Sequence, residues 1–187
     1  MPRWWAVSHP GTPPEALYFV SAFGREEELV LEAVKTLSRK LGPVSFSSEW
    51  RPFDFTDYYT PEFGKPLVRA FFFFGLRPQE DLVRVKHWAY AVEQEFSREG
   101  KRRVNLDPGY LLLSRVVLST FKDFAHRLYL GQGVFAEVTL IFRHGSFRPL
   151  PWTYPDYAHP DTLDLFNRMR EEYKRLLRCS STPTAGG

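Results

Sequence analysis

The chain has 187 residues, 43% of them apolar and 17% aromatic, which suffices for one sizeable core and falls short of two independent ones. Its 25 lysines and arginines nearly balance 22 aspartates and glutamates, so the net charge of +3 permits an anionic partner without requiring one. The single cysteine, Cys179, excludes an internal disulfide, and no apolar run is long enough to span a membrane. A reducing cytoplasm is the expected setting, with no membrane and no disulfide-linked partner.

The opening stretch MPRWWAVSHPGTPP lacks an apolar segment of signal-peptide length and reads as an irregular lead-in. EALYFVSAF, ending at Gly24, predicts a buried first strand. REEELVLEAVKTLSRKLG then puts Leu29, Val30, Ala33, Val34, Leu37 and Leu41 on one helical stripe, with acids in the first turn and bases in the last, before Gly42 and Pro43 stop it. VSFSSEW predicts a second strand and PLVRAFFFFG a central third. A helix follows Pro78, with Leu82, Val85, Ala89, Val92 and Phe96 three or four residues apart, and RRVNL returns as a fourth strand. This order predicts an α+β fold with a ferredoxin-like split β-α-β core (βαββαβ), both helices on one face. From residue 110, LLLSRVVLST, HRLYL, VFAEVTLIFR and SFRPL read as an antiparallel β-meander joined by tight turns. A C-terminal helix starts near Asp161. We expect one domain over residues 1–178 and a disordered tail over 179–187.

The sequence has no GxxxxGK[ST] phosphate loop, no GxSxG elbow and no short helical pairing among His9, His87, His126, His144 and His159, so the chemistry left is that of carboxylate, tyrosine, arginine and lysine. In RRVNLDPGY, Pro108 and Gly109 fit the middle of a type II turn capped by Asp107, and alternation puts Arg103, Asn105 and Asp107 on one strand face. In a hairpin around GQG, Arg127 opposes Glu137 on a face shared with Tyr129 and Thr139. The other face, with His126, Leu128, Val134, Ala136, Val138 and Leu140, is expected to be core, and His126 a hydrogen-bonded core histidine. Lys122 and Asp123 sit in the preceding turn. SEWRPFDFTDYYTPEFGK carries Trp50, Phe53, Phe55, Tyr58, Tyr59 and Phe63 among Asp54, Asp57 and Glu62 and reads as a flap; PLPWTYPDYAHPD similarly holds Trp152, Tyr154, Asp156 and Tyr157.

FTDYYTPEFG, LVRVKHWAYAVEQEF, RRVNLDPGYL, VLSTFKDFAHRLYLGQGVFAEVTLIF and PWTYPDY together resemble a bacterial and archaeal family, domain-of-unknown-function family 4416, some members of which carry the label GTP-binding protein. The resemblance implies no catalytic residue. It places Asp57, Tyr58, Tyr59, Glu62, Arg103, Asn105, Asp107, Lys122, Asp123, Arg127, Tyr129, Glu137, Tyr154 and Asp156 at positions of the shared motifs.

The residues themselves predict a pocket for a small anionic ligand, a nucleotide or phosphorylated metabolite, where the fourth strand meets the meander. Arg103, Lys122 and Arg127 are expected to hold the anion. Asp107, Asp123 and Glu137 are expected to exchange a proton or hold Mg2+, with Asp57, Tyr58, Tyr59, Asn105, Tyr129, Tyr154 and Asp156 completing the ligand shell. The alternatives are an RNA-binding module and a protein-interaction scaffold.

Overall fold

An apolar run with no polar alternation needs cover on both sides. The first one finds it: β1 (Ala16–Gly24) is buried throughout, near the middle of a nine-stranded sheet. The computed structural model describes residues 9–180. After β1 come α1 (Glu27–Leu41), β2 (Phe46–Ser47), β3 (Arg51–Pro52), α2 (Thr60–Phe63) and β4 (Val68–Arg77). A 3-10 turn (Gln79–Asp81) leads into α3 (Leu82–Glu95), followed by β5 (Val104–Leu111), β6 (Arg115–Thr120), β7 (Leu128–Gly131), β8 (Val134–Arg143) and β9 (Ser146–Pro149). α4 (Pro155–Ala158) and α5 (Pro160–Ser180) close the chain. The fold is α+β. Strands run in the order β2-β4-β1-β5-β6-β8-β7, with β3 on β4, β9 on β8, and every pairing antiparallel.

The even-numbered residues of β1 face α1: a Cβ added at Gly24 would lie 2.8 Å from Val30 Cγ2. α1 and α3 pack on each other and on the sheet through Val30, Ala33, Val34 and Leu37 and through Leu82, Val85, Ala89 and Val92, the stripes read from their spacing. The odd-numbered face is covered by α5, whose Phe166 ring meets Phe19 at 5.0 Å, Phe71 at 5.5 Å and Phe73 at 5.8 Å.

Five expectations need correction. The strands after residue 110 do not form a simple meander: β8 pairs with β6 and also with β7 and β9, so β6 and β7 are not neighbours. VSFSSEW forms only the two residues of β2, flanked by Ser45 and Ser48, whose hydroxyls add bonds to the β4 main chain, at 2.9 Å to Phe74 O and from Phe71 N. DPG is no turn but lies inside β5, in register with β1 at Ser21↔Asp107, Val20↔Pro108 and Phe19↔Gly109. In the hairpin, Leu128 is not core but 72% exposed on the edge strand β7, and His126 precedes β7, outside the alternation assumed for it; Val134 and Leu140 are buried as expected. Finally, α5 continues to Ser180, so the first residues of the stretch read as a tail are helical, and residues 181–187 lie outside those described.

Gly109 is needed for close approach rather than for turning. A Cβ there would sit 2.4 Å from Val117 O and 2.8 Å from Phe19 Cζ, a clash with backbone that no rotamer relieves. Gly109→Ala is expected to cost about 1–3 kcal/mol or more, as overpacking does in well-filled cores. A urea denaturation midpoint equal to that of the wild type would refute this account of the glycine.

Candidate functional site

The site begins with a mismatch in strand length. β6 pairs with β5 only from Gly109 to Leu111, so residues 104–108 of β5 have β1 on one side and no strand on the other. Main-chain groups left open inside a protein need partners. Leu106 N–H donates to Glu93 Oε1 at 2.6 Å, reached from α3, and Pro108 O accepts from Ser119 Oγ at 2.7 Å, from the end of β6. The two main-chain groups point to the same open side, where the missing N–H of Pro108 costs no ladder bond. The gap opens into a cleft of about 780 Å³.

Its floor is the odd-numbered sheet face beyond the cover of α5, with Ser21, Arg69, Asn105 and Asp107, together with Tyr157 from α4. Phe23, Phe53, Phe55, Tyr58 and Tyr59 make one wall, and Lys86, Tyr90 and Glu93 of α3 with Phe121 another; Lys122, Arg127, Glu137 and Tyr154 complete the lining. Tyr59 is held by Phe23, with ring centres 4.7 Å apart, and burial pushes its phenol well above the ordinary range.

Charges on the lining are paired almost one to one. Arg69 forms a buried ion pair with Asp156 and lies over the Phe71 ring at 4.6 Å; burial draws its guanidinium down to about 10, still charged at neutral pH. Arg102 grips both oxygens of Glu62 at 2.8 Å, and this holds the Glu62 carboxyl below its ordinary range. Arg102 also donates to Asn105 Oδ1 at 2.9 Å and lies 3.6 Å from Glu93. Asp107 accepts from Lys86 at 3.2 Å and from Asn105 Nδ2 at 2.6 Å. Glu137, only 3% exposed, accepts from Arg127 Nε at 2.8 Å, from Thr139 Oγ1 at 3.3 Å, and meets His126 Nε2 at 3.1 Å. His126 is thus a partner of the site and not of the core, and its ring stacks on Trp152 at 5.1 Å. Arg127 extends its remaining nitrogens to Lys122 O and to Tyr154 Oη, each at 3.0 Å.

Two groups fall outside one-to-one pairing: Lys122 has a phenol for its partner, and Glu93 shares Arg102 with Glu62. Lys122 donates to Tyr58 Oη at 2.9 Å and lies 4.5 Å from the centre of that ring, and its pull holds the exposed phenol below its ordinary range. Burial pushes the Glu93 carboxyl from 4.5 up to about 7, opposed by Lys86 and Arg102 and reinforced by Asp107. Glu93 is therefore the group on this lining poised for proton exchange near neutrality.

Of the residues singled out in the sequence, Tyr58, Tyr59, Asn105, Asp107, Lys122, Arg127, Glu137, Tyr154 and Asp156 line the cleft. Asp57 faces solvent beside Lys65, Arg103 pairs with Glu26 at 3.0 Å away from the cleft, Tyr129 is 63% exposed on β7, and Asp123 is not part of the lining. Among the described residues no group of three or more His, Cys, Asp or Glu side chains is placed to hold a metal ion, and Asp107 and Glu137 line the cleft without Asp123. Sequence reading missed Ser21, Arg69, Lys86, Glu93 and Arg102. For Lys86 and Glu93 a signal existed: both fall on the apolar stripe of α3, at the spacing of Leu82, Ala89 and Phe96, where a charge needs an internal partner.

A family model described as Domain of unknown function (DUF4416) matches residues 14–173. No curated protein and no solved structure matches the chain.

The raised carboxyl of Glu93 has a consequence for stability. Between about pH 4.5 and 7 the folded chain keeps a proton that the unfolded chain releases, so stability present at low pH is lost as pH rises through this window. The loss is on the order of 3 kcal/mol. Glu93→Gln retains an acceptor for Leu106 N–H and removes the titration. It is expected to match wild type near pH 5 and exceed it near pH 8 in urea denaturation; parallel pH profiles for the two proteins would contradict the assignment.

Proposed function

The chain belongs to the DUF4416 family, a domain of unknown function, and from that premise we propose that the cleft beside β5 binds a small anionic metabolite. The observation that carries this reading is the state of Lys122. Arg69, Lys86, Arg102 and Arg127 are each matched by a carboxylate, whereas Lys122, at the exposed rim, has a phenol for its partner. The remaining acid, Glu93, is half-protonated near neutral pH, so the lining as a whole is neutral to positive. A ligand anion at the rim gains a charge-assisted hydrogen bond from Lys122 without displacing an existing ion pair.

The aromatic walls supply the apolar contact typical of small-molecule sites. Tyr58 on Lys122 and Tyr154 on Arg127, 65% and 48% exposed, offer area for a flat ligand. Nucleotides and phosphorylated metabolites fit this description, as do organic acids. Proton exchange through Glu93, whose carboxyl burial raises to about 7, is the chemistry this lining offers.

We read the core as ferredoxin-like because α1 joins β1 to β2 across β4, and α3 joins β4 to β5 across β1, which is the pattern of a split β-α-β unit. An RNA-binding role is less well supported. Phe19, Phe71 and Phe73, the sheet aromatics available for stacking bases, lie under Phe166 of α5.

Lys122→Ala tests the proposal without touching the fold, since the side chain is exposed. In a thermal-shift and calorimetric panel of nucleotides, sugar phosphates and organic acids, wild type is expected to bind at least one class. The variant should bind it about 10- to 100-fold more weakly, the worth of one charge-assisted bond. Binding that is indifferent to Lys122, or a panel with no binder, would remove the proposal's support.

A further inference from the structure

Among the described residues, five cations and five carboxylates line the cleft. Four of the cations are matched by acids that burial or bidentate geometry holds in place. Glu137 is 3% exposed and Asp156 7%, and Arg102 grips Glu62 through both oxygens. An incoming anion that takes one of these cations strips it from its carboxylate, and breaking a buried pair in this way is strongly unfavourable. Lys122, bonded to a phenol, can receive an anion without that exchange.

A second charge on the ligand finds no comparable partner. Glu62 already acts at the rim, where it opposes the pull of Lys122 on the Tyr58 phenol. Further in, α3 borders the cleft with its C-terminal half: Tyr90, Glu93 and Gln94 are on the lining, Ser97 follows just beyond the helix, and its last turn carries no base. The negative end of the helix dipole therefore stands at the cavity. Polyanions are held by the opposite arrangement, a helix N-terminus or several unpaired bases. The rest of the lining suits an uncharged flat body, with Phe55 and Tyr58 on one wall and Tyr90 and Phe121 on another.

We infer that the ligand class of the cleft is the flat monocarboxylic acid, an aromatic or conjugated body with a single negative charge at Lys122, and that phosphate monoesters and nucleoside polyphosphates are rejected. The inference rests on the cleft being a binding site and narrows its ligands by charge. Selectivity comes from the carboxylates of the lining, which tolerate one compensated charge at the rim and repel a second.

The test uses three probes with one ring system: 2-naphthoate, 2-naphthyl phosphate and the neutral 2-naphthylmethanol. They are titrated by ligand-observed NMR near pH 7, where a phosphate monoester carries about two negative charges. Wild type is expected to bind the acid about tenfold more tightly than either the phosphate or the alcohol. Glu62→Gln keeps an acceptor for Arg102 and removes one negative charge from the lining, so it is expected to strengthen the phosphate more than the acid; the probes being unchanged in size, this variant separates charge from fit. Lys122→Ala is expected to abolish the advantage of the acid over the alcohol. A phosphate bound as tightly as the acid, an acid that does not bind, or a preference that Glu62→Gln leaves unchanged overturns the inference. The cleft reading stands in each of these cases if Lys122→Ala weakens whichever anion binds. Indifference of both anions to Lys122→Ala overturns the reading and the inference together.

Discussion

The site depends on one constraint: β5 is longer than the strand that pairs with it. A main chain that has lost its neighbour inside a protein must find substitutes for the ladder, and those substitutes, the Glu93 carboxylate on Leu106 N–H and the Ser119 hydroxyl on Pro108 O, fix where α3 and β6 stand relative to the gap. With α3 held there, Lys86 reaches Asp107. With β6 held there, its end aims the following loop, and Lys122 with it, at the rim. Closing the gap with a longer β6 would satisfy the backbone equally well and leave no cleft.

The second organising feature is electrostatic. Burying a charge is costly unless a partner comes with it, and four of the cations that line the cleft bring one, from a different element in each case: α4 for Arg69, β5 for Lys86, α2 for Arg102 and β8 for Arg127. These pairs tie the irregular segments to the sheet. These pairs are committed to one another, and Lys122 and Glu93 are the charged groups of the lining left outside one-to-one pairing.

Much of the fold was legible because burial imposed periodicity. The stripes of α1 and α3 and the unbroken apolar run of β1 follow from spacing, whereas spacing alone does not say that β8 rather than β7 is the neighbour of β6. DPG was misread because local turn chemistry and a strand with one open side use the same residues; only the neighbours of Gly109, Val117 O and Phe19, reveal that it is there for closeness. The pairing of Arg127 with Glu137 could be read from hairpin register, since the two meet across the turn as expected. Arg69 with Asp156, and Arg102 with Glu62, join residues 87 and 40 positions apart, and no local pattern encodes such meetings. Asp123 and Asp57 show the reverse: acidic neighbours of site residues that the chain turns away from the cleft.

The aromatic wall of the cleft has a core of its own. Phe23, Phe53, Phe63 and Leu67, with Tyr59 against them, form a hydrophobic cluster separate from the main one beneath α1, α3 and α5. Segments that share few contacts with the rest of a protein open at a local free energy well below that of global unfolding. The amide protons of residues 53–67 are therefore expected to exchange with solvent ahead of those of β5, while the sheet beneath stays whole.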